Sequence, residues 1–177
     1  MAVLDLHLLG SPVLRQQGAE VASVDAEVRR LIEDLFETME AAKGVGLAAN
    51  QVGLARRVAV VGVENTRLAM VNPLIVSAEG RSRAEEGCLS IPDVYGDVER
   101  PERIVLEAQA ADGKGYRLEA EGLLARAIQH EIDHLDGILF LDHLSALKRQ
   151  LLLARYRKEH RGESIIKSLR PEHARPE

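Results

Sequence analysis

The stretch from Gln129 to Leu135, QHEIDHL, contains the pattern H-E-x-x-H. On a helix, residues four apart lie on one face with their Cβ atoms roughly 5–6 Å apart, so His130 and His134 can bind one metal ion. Glu131 follows the first histidine and can take a proton from a metal-bound water, whose pKa falls from about 15.7 to about 7 in good cases. The stretch therefore predicts metal-assisted hydrolysis on a helix.

The residues around the motif predict that its helix is buried. Over residues 121–134, apolar side chains recur at helical spacing, and they include Leu124, Ala127, Ile128 and Ile132. We therefore expect the motif helix at the centre of the domain. Chance is the alternative, because a pattern with three fixed positions occurs in many proteins, so the rest of the chain has to decide.

An amphipathic helix is predicted in the first quarter of the chain. Apolar residues recur at spacings of three and four from Val28 to Met39, as on a helix that packs on a core. Ser23 or Asp25 can cap its start, and Gly44 is the glycine expected after its end.

The middle of the chain predicts strands. Residues 57–63 and 68–76 are rich in valine, and Pro73 places the second strand at a sheet edge or interrupts it. Residues 77–83 are predicted to form a polar loop. Residues 104–120 predict a hairpin, because two apolar runs flank the turn sequence DGKG.

These elements predict an α+β fold. Antiparallel strands pack around a central motif-bearing helix, and a further C-terminal helix is predicted from Ser145 to about Arg161. The 177 residues fit a single catalytic domain over residues 1–167. Residues 168–177 are polar and predict a flexible tail.

Net charge and composition limit the classes of partner and the compartment that we expect for this chain. The formal net charge of −5 argues against a general nucleic-acid binder, and we expect no DNA partner. We also expect no membrane partner, because no run of about 18 apolar residues occurs. The amino-terminal residues do not resemble a secretory signal, and Cys88 is the single cysteine, so we expect a cytoplasmic protein.

A third metal ligand is needed, because a catalytic zinc-type site keeps three protein ligands and one open position for water. The residues alone leave five candidates open: Cys88, Asp142, His143, Glu159 and Glu163. A thiolate ligand would favour softer metals such as Fe(II) or Zn(II) over Mg or Ca.

Three separated stretches carry a resemblance to a known family. They are residues 44–51 (GVGLAANQ), 86–90 (EGCLS) and 129–134 (QHEIDH), and residues 10–15 (GSPVLR) extend the similarity towards the start. Together, in this order, they resemble the signature motifs of the peptide deformylases. The resemblance implies an α+β metal-dependent hydrolase of protein biosynthesis that removes the formyl group from N-formylmethionyl nascent peptides and releases formate.

The resemblance also implies roles for particular residues. The metal would be bound by Cys88, His130 and His134. Glu131 would act as general base and then as general acid. The side-chain amide of Gln51 and the backbone N–H of Leu89 would face the developing oxyanion. The cofactor would be one divalent ion, Fe2+, with Zn2+ and Ni2+ as alternatives.

A substrate pocket is implied in the same way. Its residues would be Val45, Gly46, Glu86, Leu123, Arg126 and Ala127, and Glu86 would also pair with Arg100 beside the metal. Arg126 is a departure, since many relatives carry an apolar residue there. Its aliphatic stem can still line the pocket.

Two other functions compete with this interpretation. A zinc endopeptidase would use His130, His134 and a carboxylate from the last helix. A non-catalytic binding module would hold a structural metal, but such a site needs four protein ligands.

The last helix is basic, through Lys148, Arg149, Arg155, Arg157, Lys158 and Arg161. Such a run usually forms a solvated helix face, and binding to the ribosome is the second interpretation.

Overall fold

The computed structural model describes residues 2–170, and these residues confirm the α+β class. The helices are α1 (Ala26–Ala41), α2 (Gly122–Leu135) and α3 (Ala146–Glu159). The strands are β1 (Leu6–His7), β2 (Gly46–Ala48), β3 (Val58–Val63), β4 (Thr66–Glu79), β5 (Ser82–Cys88), β6 (Ile91–Arg100), β7 (Arg103–Gln109), β8 (Gly115–Glu121) and β9 (Ile166–Lys167). Short 3-10 turns lie at Pro12–Arg15, Ala49–Val52 and Phe140–His143.

A five-stranded antiparallel sheet in the order β2-β3-β4-β7-β8 forms the frame. Strand β3 has helices on both faces: Val58 and Val60 belong to the core cluster under α1, whereas Ala59 and Val61 belong to the cluster under α2. Successive residues of a strand point to opposite faces. The continuous apolar run of β3 therefore follows from its burial on both sides.

Strand β4 contains Pro73 and is interrupted there, which is one of the two predicted alternatives, and in the strand order it lies between β3 and β7. Its first half pairs with β3 up to Val71, and its second half pairs with β7 after a register shift between Val71 and Leu74. Asn72 turns the backbone there with a φ of +50°, and its side chain bonds to the backbone of Val21. The interruption accommodates a residue that has no N–H to donate.

The polar loop predicted over residues 77–83 was wrong. Strand β4 continues to Glu79, β5 begins at Ser82, and the turn between them contains Gly80 at a φ of +70°. The polar residues at the exposed end of β4 still pair with β7 through their backbone, with Glu79 opposite Arg103. Hydrophobic patterning could not reveal this extension, because both faces are solvated. The hairpin predicted over residues 104–120 is confirmed as β7 and β8.

Helix α1 has the predicted start, and its end differs only in which residue is left-handed. The Asp25 side chain accepts a hydrogen bond from the Val28 N–H, which confirms the cap. At the other end the helix stops at Ala41 and Gly44 follows it, as predicted, but the left-handed residue is Lys43, with a φ of +57°. Position 44 requires a glycine for a steric reason, because a Cβ there would lie 2.6 Å from the Leu89 side chain.

Helix α2 lies in the interior as predicted. Ala125, Ile128 and Leu135 are fully buried, and the helix packs against β2 and β3. It ends before Gly137, whose φ is +75°. A Cβ added at this position would lie 2.7 Å from the Arg15 carbonyl oxygen. The α2 helix therefore stops where another part of the chain crosses it closely.

Helix α3 begins after Ser145, whose side chain caps the Lys148 N–H as predicted. It ends at Glu159, two residues before the predicted end. Leu152 and Tyr156 pack with Ile91 and Val98 of β6 in a third core cluster, whereas Leu147 is 68% exposed. The apolar side chains of α3 are therefore only partly buried.

The C-terminal segment returns to the start of the chain. Strand β9 pairs with β1, and Leu169 packs on the core cluster under α1. The sequence did not predict this strand. Of the predicted tail, residues 171–177 lie outside the described residues. Among residues 2–170, no helix is long and apolar enough to cross a membrane.

Candidate metal centre

Two elements bring three potential metal ligands together. Cys88 is the last residue of β5, and His130 and His134 lie one turn apart on α2. The cysteine sulfur and one nitrogen of each histidine all lie within 4.8 Å of one another. Among the five candidates for a third ligand, the structure places Cys88 next to the histidine pair.

The spacing of these atoms fits a tetrahedral metal ion. The two Nε2 atoms are 3.2 Å apart, and Cys88 Sγ is 3.3 Å from His134 Nε2. Around zinc, bond lengths of about 2.0–2.1 Å for nitrogen and 2.3 Å for sulfur imply separations of about 3.3 and 3.6 Å. Three lone-pair donors converge at this distance. Residues 2–170 supply no fourth protein ligand to the cluster, which leaves a position for water.

The other candidate ligands have partners away from the cluster. The four contacts are Asp142 with Arg15 at 2.6 Å, His143 with Asp133 at 2.8 Å, Glu159 with Arg155 at 3.0 Å and Glu163 with His160 at 2.7 Å. The arrangement therefore offers no carboxylate from the last helix, and the endopeptidase alternative loses its third ligand.

Glu131 lies beside the cluster with one oxygen free. It is 4% exposed, and its Oε2 atom has no hydrogen-bond partner within residues 2–170. Burial raises the pKa of Glu131 to about 7. A Cβ on Gly46 would lie 2.8 Å from the Glu131 carboxylate, so only glycine lets β2 pass this close. A buried carboxylate with an unused oxygen is suited to receive a proton from a small molecule.

Gln51 has a defined amide orientation. Its Oε1 accepts a hydrogen bond from the Ala48 N–H at 2.9 Å, so its NH2 group points the other way. That group donates to Ser90 Oγ at 3.1 Å and lies 3.6 Å from Cys88 Sγ. The predicted oxyanion donor therefore has its N–H bonds at the metal cluster. Ser90, which supports it, was not predicted, although it lies in the EGCLS stretch.

Leu89 lies in the two-residue turn that joins β5 to β6, directly after Cys88. Its side chain approaches Gly44 and lines the same cavity as Glu131. Leu89 therefore lies at the site, and the predicted role of its N–H stays a prediction.

Glu86 is linked to His130 and to two arginines. His130 Nδ1 is 2.9 Å from Glu86, Arg100 donates at 2.6 and 2.9 Å, and Arg126 donates at 2.6 Å. Burial alone would raise the pKa of Glu86, but the hydrogen bonds from Arg100 and His130 hold it well below its usual value. Glu86 is thus an anion beside a metal-binding histidine. Its predicted contact with substrate stays a prediction.

The two histidines differ in their affinity for protons. Burial lowers the pKa of His134 well below its usual value. Burial also opposes charge on His130, but its hydrogen bonds to Cys88 and Glu86 raise its pKa well above the usual value. The short distance between the rings adds to the effect of burial on His134, since a positive charge on His130 disfavours a second one next to it.

A cavity of about 610 Å³ opens beside the cluster. All six predicted pocket residues line it: Val45, Gly46, Glu86, Leu123, Arg126 and Ala127. Val45 and Leu123 are about half exposed at its rim, whereas Ala127 is buried. The sequence did not predict Lys167 and Leu169, which join the lining because β9 returns to β1. No local pattern could have indicated that return.

Comparison with known proteins gives a consistent result. The sequence profile described as polypeptide deformylase matches residues 3–150. A peptide deformylase of Rhizobium meliloti is 49% identical over 174 residues, which cover 94% of this chain and 100% of the relative. The profile match therefore includes Cys88, His130 and His134 and most of the fold.

Solved structures agree with the sequence comparison. A peptide deformylase from Ehrlichia chaffeensis, in complex with actinonin, has a TM-score of 0.88 and 37% identity, covering 91% of this chain and 99% of that one. The peptide deformylase from Thermus thermophilus has a TM-score of 0.82 and 46% identity, covering 89% of this chain and 99% of that one.

Proposed function

This chain belongs to the polypeptide deformylase family, and from that premise we propose how its residues carry out the reaction. The enzyme is a metal-dependent hydrolase that removes the N-formyl group from the formylmethionine of nascent polypeptides and releases formate. The observation that supports the residue roles best is the convergence of Cys88, His130 and His134 beside a buried Glu131.

We assign Cys88, His130 and His134 as the metal ligands within a single catalytic domain over residues 1–167. A divalent ion held there would supply Lewis acidity to an oxygen and lower the pKa of a coordinated water. We propose Fe2+ as the native ion, with Zn2+ or Ni2+ as substitutes. One thiolate and two imidazoles favour borderline and soft metals over Mg or Ca.

Glu131 is the general base and then the general acid. Its free Oε2 takes a proton from the water that attacks the formyl carbon, and the same carboxyl then donates that proton to the departing amine nitrogen. The C–N bond breaks, and the products are formate and a free amino terminus. One residue can do both steps because the carboxylate lies at the metal cluster and is held by no other described side chain.

Gln51 and Leu89 stabilise the negative charge that develops on the formyl oxygen. The Gln51 NH2 group is held towards the site by its own Oε1 contact with Ala48. The Leu89 N–H follows the ligand cysteine in the chain. Donors that are oriented before the reaction are effective, and loss of one typically costs about 10²–10³ in rate.

The cavity binds the methionyl end of the substrate. Val45, Leu123 and Ala127 offer apolar surface for the methionine side chain, and Gly46 leaves room for the peptide backbone. The guanidinium of Arg126 is bound to other residues, so only its stem faces the cavity. The pocket should therefore select an unbranched apolar side chain.

Formate release tests this function. The protein, loaded with a known amount of Fe2+ or Zn2+, is incubated with a formyl-methionyl peptide, and formate and free amine are measured. An acetyl-methionyl peptide is the control for general amidase activity. We expect one formate for each amine released. Cleavage of internal peptide bonds without formate would support an endopeptidase instead.

We also propose that the enzyme works in the cytoplasm and binds ribosomes through α3. Its substrates emerge there, and α3 carries the exposed cations Lys148, Arg155, Arg157 and Lys158. Replacing these four by glutamine should abolish salt-sensitive co-sedimentation with ribosomes while formate release stays unchanged. The matched control replaces Arg29 and Arg30, exposed cations of α1. Unchanged co-sedimentation of the α3 variant would refute this partner.

A further inference from the structure

Arg126 has a guanidinium that is bound on several sides. It lies on α2 one turn before His130 and is 8% exposed. Its Nη1 atom donates to Glu86 Oε2 at 2.6 Å and to the Val98 carbonyl at 2.8 Å, and its Nη2 atom donates to the Ser82 carbonyl at 2.8 Å. Arg126 therefore joins α2 to both strands of the β5–β6 hairpin that carries Cys88.

The Glu86 carboxylate is saturated by this contact. Its Oε1 atom faces His130 Nδ1 and Arg100 Nη2, both at 2.9 Å. Its Oε2 atom accepts from Arg100 Nε and Arg126 Nη1, both at 2.6 Å. A carboxylate accepts about four hydrogen bonds, so each acceptor position has a partner. Without Arg126, one buried position of Oε2 would be left without a donor.

Arg126 adds a second guanidinium to the group formed by Glu86, Arg100 and Asp133. Arg100 is shared between Glu86 and Asp133, to which it donates at 2.8 Å. Two carboxylates on one guanidinium would leave one buried negative charge uncompensated, and such charges are costly. Arg126 is the second guanidinium.

We propose that Arg126 is a positioning residue for the metal centre. It holds the Glu86 carboxylate in the orientation that receives the His130 Nδ1–H, and this contact directs His130 Nε2 towards Cys88 and His134. Outer partners of a ligand histidine set its tautomer and ring orientation, and their loss typically costs about 10–100-fold in metal affinity or activity. The inference rests on the ligand set assigned above.

Zinc affinity tests this role directly. The dissociation constant of Zn2+ is measured by chelator competition for the parent, for Arg126→Met and for Arg126→Gln. We expect a loss of about 10–100-fold in Arg126→Met and a loss near the lower end of that range in Arg126→Gln. Parent-like affinity in the folded glutamine variant would overturn the proposal, even where the methionine variant does not fold.

The control variant is Arg57→Met. Arg57 ties the other end of α2 to the sheet, donating to Asp136 at 2.9 Å and to the Leu135 carbonyl at 3.3 Å, and does not contact Glu86. It should lower the melting temperature without weakening zinc binding. If Arg126→Met behaves in the same way, its role is structural and the proposal fails.

A double-mutant comparison shows whether Arg126 acts through Glu86. In a Glu86→Gln background, Arg126→Met should weaken zinc binding by far less than in the parent, because the orienting carboxylate is already gone. Equal losses in both backgrounds would contradict the proposal. The proposal would also be contradicted if Arg126→Met bound zinc as tightly as the parent but, when fully loaded, had a raised KM. That result would indicate that Arg126 contacts the substrate. If the parent binds no zinc, the ligand set itself is wrong.

Discussion

Cys88 places its sulfur next to the histidine pair. The residue ends β5, and the turn that follows brings the strand back at Ile91. Its sulfur is 3.3 Å from His134 Nε2. Gly44 and Gly46 permit the close packing of Leu89 and Glu131 around this point. At the residue scale, the site therefore depends on the sulfur of Cys88 and on two glycines that larger residues cannot replace without displacing Leu89 or Glu131.

Replacing Cys88 by alanine should remove the metal. Only two imidazoles remain as ligands. Loss of a residue that hydrogen-bonds to a ligand typically lowers metal affinity by about 10–100-fold, and we expect the loss of a ligand to lower zinc affinity by more than that. Metal content after dialysis, measured by atomic absorption, checks this. Ser90→Ala is the control, because it removes a contact of Gln51 and no ligand. Full occupancy in the cysteine variant would contradict the ligand assignment.

Replacing Glu131 by glutamine should separate binding from catalysis. The variant keeps its three ligands and the shape of the side chain, so its metal content should equal that of the parent. Loss of the proton acceptor should lower kcat for formate release by about 10²–10⁴. Metal analysis and kinetics on the same preparation test this. Substantial turnover in the metal-loaded variant would assign the base to another group.

At the element scale, α2 aligns two ligands and the base, and contacts at its C-terminal end hold it in place. The 3-10 turn after α2 is tied back by Asp142, which accepts from the Leu139 N–H and from Arg15. Partial burial alone would raise the pKa of Asp142, but the hydrogen bond from Arg15 holds it below its usual value. This ion pair therefore stabilises the folded state when Asp142 is ionised.

Replacing Asp142 by asparagine should lower stability in a pH-dependent way. Because the pKa of Asp142 is lowered on folding, the ion pair contributes fully above the unfolded value of about 3.9 and is lost as the pH falls through the folded pKa. The pair is partly exposed, so we expect about 0.5–1 kcal/mol at neutral pH. Urea unfolding of the metal-free proteins at several pH values measures the difference.

The control for that experiment is Glu107→Gln, which removes an ion pair with Arg117 that is more exposed on both sides. Its effect on the free energy of unfolding should be smaller. A difference between parent and Asp142→Asn that persists unchanged at low pH would show that the lost packing, and not the charge, causes the destabilisation.

At the scale of the whole molecule, the metal centre joins two parts of the fold. Cys88 belongs to the separate β5–β6 hairpin, whereas both histidines belong to α2, which packs on the five-stranded sheet. Bound metal should therefore stabilise the folded protein, because the unfolded chain does not hold three ligands in place.

Removing the metal with a chelator should lower the melting temperature. A free metal concentration 100 times the dissociation constant contributes about 2.7 kcal/mol, which corresponds to roughly 5–11 °C for a domain of this size. Calorimetry with and without chelator measures the shift. Hydrogen exchange should increase most in β5 and β6 and least in β3. An unchanged melting temperature would argue against a metal shared by the hairpin and the helix.

The sequence by itself determined the motif helix, the caps of α1 and α3, the β7–β8 hairpin and the histidine pair. These features are local, since residues within one or two helical turns, or one strand pair, set their energies. The motifs also indicated Cys88, Gln51 and Glu131, through their resemblance to a family. Local patterns failed where solvent covers both faces, as at the end of β4, and where Lys43 adopts the left-handed conformation.

Only the tertiary structure decided which third ligand meets the histidines and how the surrounding charges pair. Cys88 and His134 are 46 residues apart, and their approach depends on the packing of a hairpin against a buried helix. The same packing places Arg126 on Glu86 and brings β9 back to β1. Contacts between distant segments leave no periodic trace in the chain, because they follow from how whole elements bury their apolar faces together.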